Sequence, residues 1–371
     1  FSLPWQGLNY ERGQTGATLW HSQTILVILS AMSRPEFIAE QTALAPRTTL
    51  QLGGPARYFA TCETAGEICT ALEWAKAAAL PVQILGGGSN VIFPDEGYAG
   101  LVLKIGLQGV EFSTDTATVA AGEDWDRFVA TCIDRDLAGV ECLSGIPGLV
   151  GATPIQNVGA YGQEVGDILV EVRALDRQSL QEVTFANAEC DFAYRQSRFK
   201  RADRDRYIIV SVTYRLDPGG PAPIRYPELQ HQVGGDASLT AVRNAVLALR
   251  RSKSMVIDPR DPNSHSAGSF FLNPVIGTDA FAAIAKDHPD APNFPAPNGV
   301  KVPAAWLVER AGFRKGQTQN GVGISDRHAL ALVNRDGTTR DLLALADEIQ
   351  AAVAQTFGIG LEREPVLIEG D

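Results

Sequence analysis

The stretch from Gly139 to Gly166 reads GVECLSGIPGLVGATPIQNVGAYGQEVG and has neither a helical nor a strand period. Gly145, Gly148, Gly151, Gly159 and Gly162 recur through it, and Pro147 and Pro154 fix backbone angles between them. So long an irregular run inside a compact domain is a binding loop or a disordered segment. Leu143, Ile146, Leu149, Val150 and Ile155 give it too much apolar content for disorder. Glycine admits positive φ and lets a ligand lie close against peptide N–H groups. The stretch therefore reads as a cradle for a phosphate-bearing cofactor.

At 371 residues and 45% hydrophobic, the chain has material for a large core divided among two or three domains. A net charge of −11 argues against a nucleic-acid partner, which needs a basic face. The five cysteines, odd in number and without a CxxC pair, fit reduced thiols in a cytoplasmic setting. Cys69 and Cys132 fall on apolar helix faces. TILVILSAM, near the start, is too short to span a bilayer, so no membrane partner is expected. Residues 1–31 carry no motif and read as an upstream extension, with Met32 as the natural start.

In chain order, TTLQLGGPARYFATC reads as two short strands around a Gly53-Gly54-Pro55 turn. Thr64 and Glu67 form a capping box for a helix carrying Ile68, Leu72 and Ala75 on one face. VQIL and VIF are strands separated by Gly86-Gly87-Gly88-Ser89-Asn90. That turn lacks the third glycine of a dinucleotide fingerprint and is followed by a strand rather than a helix. Hairpin geometry explains it as well as phosphate binding does, until the second glycine-rich loop is counted. Asp124 caps a helix bearing Trp125, Phe128, Val129, Cys132 and Ile133.

Strands follow at ILVEVRALD, EVTFANAEC and RYIIVSVTYRL, with the cationic turn FAYRQSRFK before the last. DPGGPAPIRYP reads as a mobile loop, and Thr240 to Lys253 as a helix. Lys301 to Gly312 and Asp341 to Phe357 are further helices, and LEREPVLIE is a terminal strand with Glu362 and Glu364 facing outward. On spacing alone, Arg195 and Arg198 are solvent-facing charges, Ser269 is a turn serine, and the two glutamates are a solvated face. No metal-ligand spacing is present.

Taken together, LGGPARYF, ILGGGSNVIF, SGIPGLVGATPIQNVGAYG, YRQSRFK, AGSFFLNP, ERAGFRKG, ISDRHALALVN and LEREP resemble the UDP-N-acetylenolpyruvoylglucosamine reductase family, from about Thr48 to Glu369. The resemblance implies an α+β fold, with FAD-binding domains of the vanillyl-alcohol-oxidase type and a smaller α/β substrate domain. It implies divisions at 32–106 and 107–250 for the two FAD-binding subdomains, and 251–371 for the substrate domain, whose C-terminal strand returns to the active site.

The implied activity is FAD-dependent reduction of UDP-N-acetylglucosamine enolpyruvate with NADPH, in peptidoglycan precursor synthesis, by a monomer that holds FAD non-covalently. Implied FAD contacts are Gly86, Gly87, Gly88, Ser89, Asn90, Gly145, Ile146, Pro147, Gly148, Gly151, Pro154, Gln156, Asn157, Gly159 and Ala160. Arg195, Ser269 and Glu364 match the family's catalytic positions. Tyr226, in a lid loop, with Lys253, Asn273 and His328 matches its substrate contacts.

Two departures stand out. Leu272 replaces the usual lysine after GSFF, and Pro365 follows Glu364 and threatens the local ladder. The competing readings are another FAD oxidase of the same superfamily and a flavin-binding protein without catalysis.

Overall fold

The computed structural model describes residues 33–221 and 224–369. The expected extension at residues 1–31, with its start at Met32, lies outside the described residues.

The chain opens with strands β1 (Ile38–Ala43) and β2 (Pro55–Cys62), helix α1 (Ala65–Ala77), and strands β3 (Val82–Leu85), β4 (Val91–Ile92) and β5 (Tyr98–Ile105). The first sheet has the order β1-β2-β5-β3, with β2, β5 and β3 parallel and β1 antiparallel on the edge. Parallel strands covered on both faces read as continuous apolar runs. Accordingly Leu101, Val102 and Leu103 of β5 are all fully buried. The Thr64–Glu67 capping box starts α1 as expected.

Two local readings fail here. Thr48 to Leu52 is not a strand; it turns, with Gln51 at φ +54°, and uses Leu50 and Leu52 to fill the core of the C-terminal region. The antiparallel partner of β2 is β1, whose largely exposed IAEQTA sequence lacks the buried face that makes a strand legible.

The second sheet contains β6 (Val110–Phe112), β7 (Thr116–Ala120), β8 (Leu169–Asp176), β9 (Glu182–Ala186) and β10 (Tyr207–Arg215), in the antiparallel order β9-β8-β10-β7-β6. Helix α2 (Trp125–Asp134) is capped by the Asp124 carboxylate and packs Trp125, Phe128 and Tyr214 into an aromatic cluster. A single hydrophobic core runs through both sheets.

Helix α3 (Pro227–Val233) then packs on α4 (Leu239–Ser252). The C-terminal region builds a separate core from α5 (Ala304–Arg310), α6 (Thr339–Phe357) and short antiparallel strands. The helix expected from Lys301 begins at Ala304, because Lys301 belongs to a strand paired with Val275–Ile276, and a further helix, Thr278–Asp287, precedes it. The last strand, β11 (Val366–Leu367), returns to pair in parallel with β4. Pro365 does not break this pairing. The Glu364 N–H bonds to Phe270 O at 2.9 Å and the Val366 N–H to Asn90 O at 2.9 Å, so the proline falls between two donors.

Candidate functional site

The two glycine-rich loops lie back to back. A Cβ on Gly87 would sit 2.7 Å from Gly148 Cα, and Ser89 Oγ donates to Pro147 O at 3.1 Å. Gly88 (φ +69°) and Gly148 (φ +126°) use backbone angles that glycine tolerates without strain. Asp126 Oδ1, on α2, accepts from the Gly145 N–H at 2.6 Å and also pairs with Arg243 of α4. Asn157 ties the cradle to itself: its amide donates to Glu164 Oε2, and its Oδ1 accepts from the Gly166 N–H, both at 2.8 Å.

Along the joined loops runs a cavity of about 1360 Å³. This exceeds the roughly 300–1,000 Å³ of a site for one drug-sized ligand, so there is room for a dinucleotide and a second molecule. All of Gly86 to Asn90 line it, as do Ile146, Pro147, Gly148, Gly151, Gln156, Gly159 and Ala160. Gly145, Pro154 and Asn157 are not in the lining. Gly145 and Asn157 brace the loop, through the Gly145 N–H bond to Asp126 and the Asn157 side-chain bonds.

Arg195, Ser269 and Glu364, from three distant parts of the sequence, all open onto this cavity. Arg195 sits in a tight turn closed by reciprocal Ala193–Gln196 backbone bonds, at φ +55°. Its guanidinium donates to Gly159 O at 2.6 Å, and its Nε lies 3.4 Å from Glu364 Oε1. The outward-facing reading of Glu364 is therefore corrected: its side chain is 15% exposed and turned to the arginine. The alternation fails because β11 starts only at Val366, leaving Glu364 in an irregular approach. Burial pushes the Glu364 carboxyl above its ordinary value, against the pull of Arg195 and Lys200. Ser269 follows Gly268 (φ +75°) and precedes the fully buried Phe270. Arg198 stays structural, pairing with Asp203 at 2.7 Å and stacking on Phe185.

Tyr226, Lys253 and His328 also line the cavity. Tyr226 meets Tyr161 edge to face, with centroids 5.4 Å apart. Lys253 Nζ bonds both carboxylate oxygens of Glu228, at 3.0 and 2.9 Å. His328 Nδ1 accepts from the Leu330 N–H at 3.0 Å, so its proton sits on Nε2. Burial, with Lys253 and Lys315 adding to it, pushes the His328 pKa down to about 4, which keeps the ring neutral at physiological pH. Asn273 is not brought to the cavity wall. Its Oδ1 accepts from the Ala304 N–H at 2.9 Å at the start of α5. Leu272, at the position of the missing lysine, is buried, and its N–H bonds Glu362 O.

Two cavity residues escaped the sequence reading. Arg250 lines the cavity, donates to Met255 O at 2.7 Å and keeps a buried Nε without a hydrogen-bond partner. Its spacing of three from Lys253, at one helix end, is the signal that would have found it. Lys200 lines the cavity five residues after Arg195, and its Nζ donates to Arg195 O at 3.3 Å.

Against known families, residues 260–368 match the model of the UDP-N-acetylenolpyruvoylglucosamine reductase C-terminal domain, and residues 56–181 match that of an FAD-binding domain. The fold is thus α+β, an FAD-binding part followed by a smaller C-terminal domain. A UDP-N-acetylenolpyruvoylglucosamine reductase of Thermobifida fusca is 48% identical over 349 residues, covering 89% of this chain and 98% of that protein. One of Streptomyces coelicolor is 46% identical over 340 residues, covering 88% of each. The crystal structure of the corresponding reductase from Thermus caldophilus superposes with a TM-score of 0.63 at 23% identity, covering 90% of this chain and 98% of that one. That structure bears on the fold alone.

Proposed function

This chain belongs to the UDP-N-acetylenolpyruvoylglucosamine reductase family, and we propose that its reaction is carried by Arg195, Glu364 and Ser269 at the head of the glycine cradle. The activity is FAD-dependent reduction of UDP-N-acetylglucosamine enolpyruvate to UDP-N-acetylmuramate with NADPH, a step of peptidoglycan synthesis. The observation that carries the residue assignment is the opening of all three side chains onto one cavity beside the paired glycine loops.

The residues fit the cofactor. The Gly86–Asn90 turn approaches the cradle so closely that a Cβ would not fit at Gly87, and Arg250 keeps an unpartnered buried donor. Gly86 to Asn90 would hold the pyrophosphate, and Ile146 to Ala160 the remainder of the flavin nucleotide. Bound there, FAD would supply the two-electron relay by which hydride from NADPH reaches C3 of the enolpyruvyl group. As C3 is reduced, negative charge grows across C2 and the carboxylate.

The Arg195 guanidinium is fixed by Gly159 O and holds that charge; such prepositioned donors gain strength where water is excluded. Glu364, paired with Arg195 at 3.4 Å, orients that guanidinium toward the developing charge. Ser269 delivers the proton to C2. Tyr226 and Lys253 meet the diphosphate, Lys253 exchanging its Glu228 partner for it. His328 offers Nε2–H as a neutral donor.

In the same reading, residues 32–106 and 107–250 form two FAD-binding subdomains and 251–371 a substrate domain. The enzyme works as a cytoplasmic monomer. Among the described residues, no helix is long and apolar enough to cross a membrane.

Purified protein should be yellow, its flavin bleached by NADPH and recoloured anaerobically by the enolpyruvyl substrate. Recolouring at the wild-type rate in Arg195→Ala, Glu364→Gln and Ser269→Ala alike would remove the residue assignment.

A further inference from the structure

We propose that Lys200 is a positioning residue for this reaction, its ammonium clamping the Arg195 peptide in its strained turn and standing beside Arg195 as the second cation facing Glu364. The proposal deepens the reading of Arg195 and Glu364 above and rests on it.

The turn is the starting point. Reciprocal bonds between Ala193 and Gln196, at 3.1 and 3.0 Å, leave Tyr194 and Arg195 as its two central residues. Arg195, the second of them, takes φ +55°, where glycine or asparagine is the usual choice. An arginine there is held only if its surroundings fix both faces of its peptide. Ser197 Oγ anchors the turn to the cradle through Ile155 O at 2.6 Å. The Arg195 carbonyl itself is held by Lys200 Nζ at 3.3 Å. Phe199, next to the lysine, is 6% exposed, packs against Phe185 and fixes where the ammonium can reach. Without that clamp the Arg195 peptide can rotate, and the guanidinium leaves both Gly159 O and Glu364.

Charge gives the second part. Lys200 lines the cavity half-buried and faces Glu364, Glu362 and Arg195. The groups facing Glu364 are Arg195, Lys200 and the Tyr194 ring. Burial raises the Glu364 carboxyl and the two cations pull it back down; with Lys200 removed, Glu364 takes up a proton at higher pH.

Lys200→Met, Lys200→Gln and Lys200→Arg separate the two parts, with the oxidative half-reaction followed against pH. Lys200→Met should keep its FAD spectrum and its rate of reduction by NADPH. Its reoxidation by the enolpyruvyl substrate should slow about 10-fold, and the limb of the profile that reports Glu364 should move up by about one pH unit. Lys200→Gln keeps a donor for the Arg195 carbonyl and loses the charge, so it should recover part of the rate and none of the pH shift. Lys200→Arg should restore both.

Wild-type reoxidation and an unmoved profile in Lys200→Met overturn the proposal. So does equal slowing of both half-reactions, or a loss that Lys200→Arg leaves unrepaired. If Lys200→Met does not fold, an unmoved limb in Lys200→Gln overturns it. Arg195→Lys and Glu364→Gln run alongside: if both keep the wild-type rate, the underlying site assignment fails, whereas their loss with an intact Lys200→Met removes the lysine alone.

Discussion

Ser269 and His328 show what single side chains contribute. Ser269 stands at the cavity wall between a left-handed glycine and a buried phenylalanine, so its hydroxyl is held by backbone rather than by side-chain partners. If it gives the proton to C2, Ser269→Ala should be reduced by NADPH at the wild-type rate, since that step needs no proton at C2. Reoxidation by the enolpyruvyl substrate should slow by about 10²–10⁴-fold, the usual share of a positioned proton donor. Ser269→Cys should fall between, because a thiol reaches roughly the same place. Flavin absorbance in stopped flow times the halves separately, and equal slowing would mean that Ser269 positions the flavin instead.

His328 makes a different prediction. Its folded-state pKa of about 4 lies below the unfolded value of 6.5, so the unfolded chain binds the extra proton between them. Its contribution to stability is therefore complete above pH 6.5 and is lost as pH falls toward 4. The loss is on the order of 1–3 kcal/mol, discounted from the full shift because the ring is only partly shielded. Urea unfolding of His328→Gln should show a shallower decline than wild type between pH 7 and pH 5. Parallel declines would show that other groups carry it.

The elements divide into those that sequence periodicity reveals and those that it cannot. Helices α1, α2, α4 and α6, and strands β8 and β10, each bury one face or one continuous apolar run, and each was legible within a few residues. Strand β1 was not, because its pairing surface is polar and only the register with β2 defines it. The site residues follow the same division. Glycines announce the loops, but nothing local says that Asn157 points inward to brace the cradle while Gln156 faces the cavity. Arg250 and Lys200 were missed for a related reason: an ordinary cation becomes informative only when burial removes its solvent.

The loop pairing yields a direct test. Gly87→Ala pushes a methyl against the Gly148 backbone at 2.7 Å, and backbone cannot step aside as a side chain can. FAD retention after gel filtration should drop at least 10-fold, a loss of about 1.4 kcal/mol or more in affinity. Gly360→Ala, which meets nothing within 4 Å, should retain FAD fully and serve as the control. For the segment ahead of α3, Tyr226→Phe should raise KM for the enolpyruvyl substrate more than it lowers kcat. An unchanged KM would remove Tyr226 from the diphosphate site.

At the scale of the whole molecule, the proposed catalytic set is assembled by one return of the chain. The C-terminal core contributes Ser269, the second sheet's edge contributes Arg195, and Glu364 is brought in by its N–H bond to Phe270 O together with the pairing of β11 with β4. Asn90 is where these parts meet: its side-chain amide donates to Gln156 Oε1 at 2.9 Å and to Glu364 O at 3.3 Å, and its carbonyl accepts from the Val366 N–H. A residue of the first glycine loop thus also holds the main chain of the glutamate proposed as catalytic. This linkage could not be read from sequence, since it joins residues more than two hundred positions apart that share no local pattern.

It predicts that Val366→Pro will act at a distance. The substitution removes the N–H that Asn90 O accepts and extends Pro365 into a rigid pair, costing about 1–3 kcal/mol and releasing Glu364 from Arg195. That N–H reaches the first glycine loop only through the carbonyl of its last residue, Asn90, and bonds none of Gly86 to Ser89, so the purified variant should still carry FAD and still be reduced by NADPH at the normal rate. Reoxidation by the enolpyruvyl substrate should slow at least 10-fold, approaching the rate of Glu364→Gln, and adding Glu364→Gln to Val366→Pro should slow it little further. If the two changes multiply instead, Glu364 keeps its post without the ladder and the C-terminal strand serves stability only.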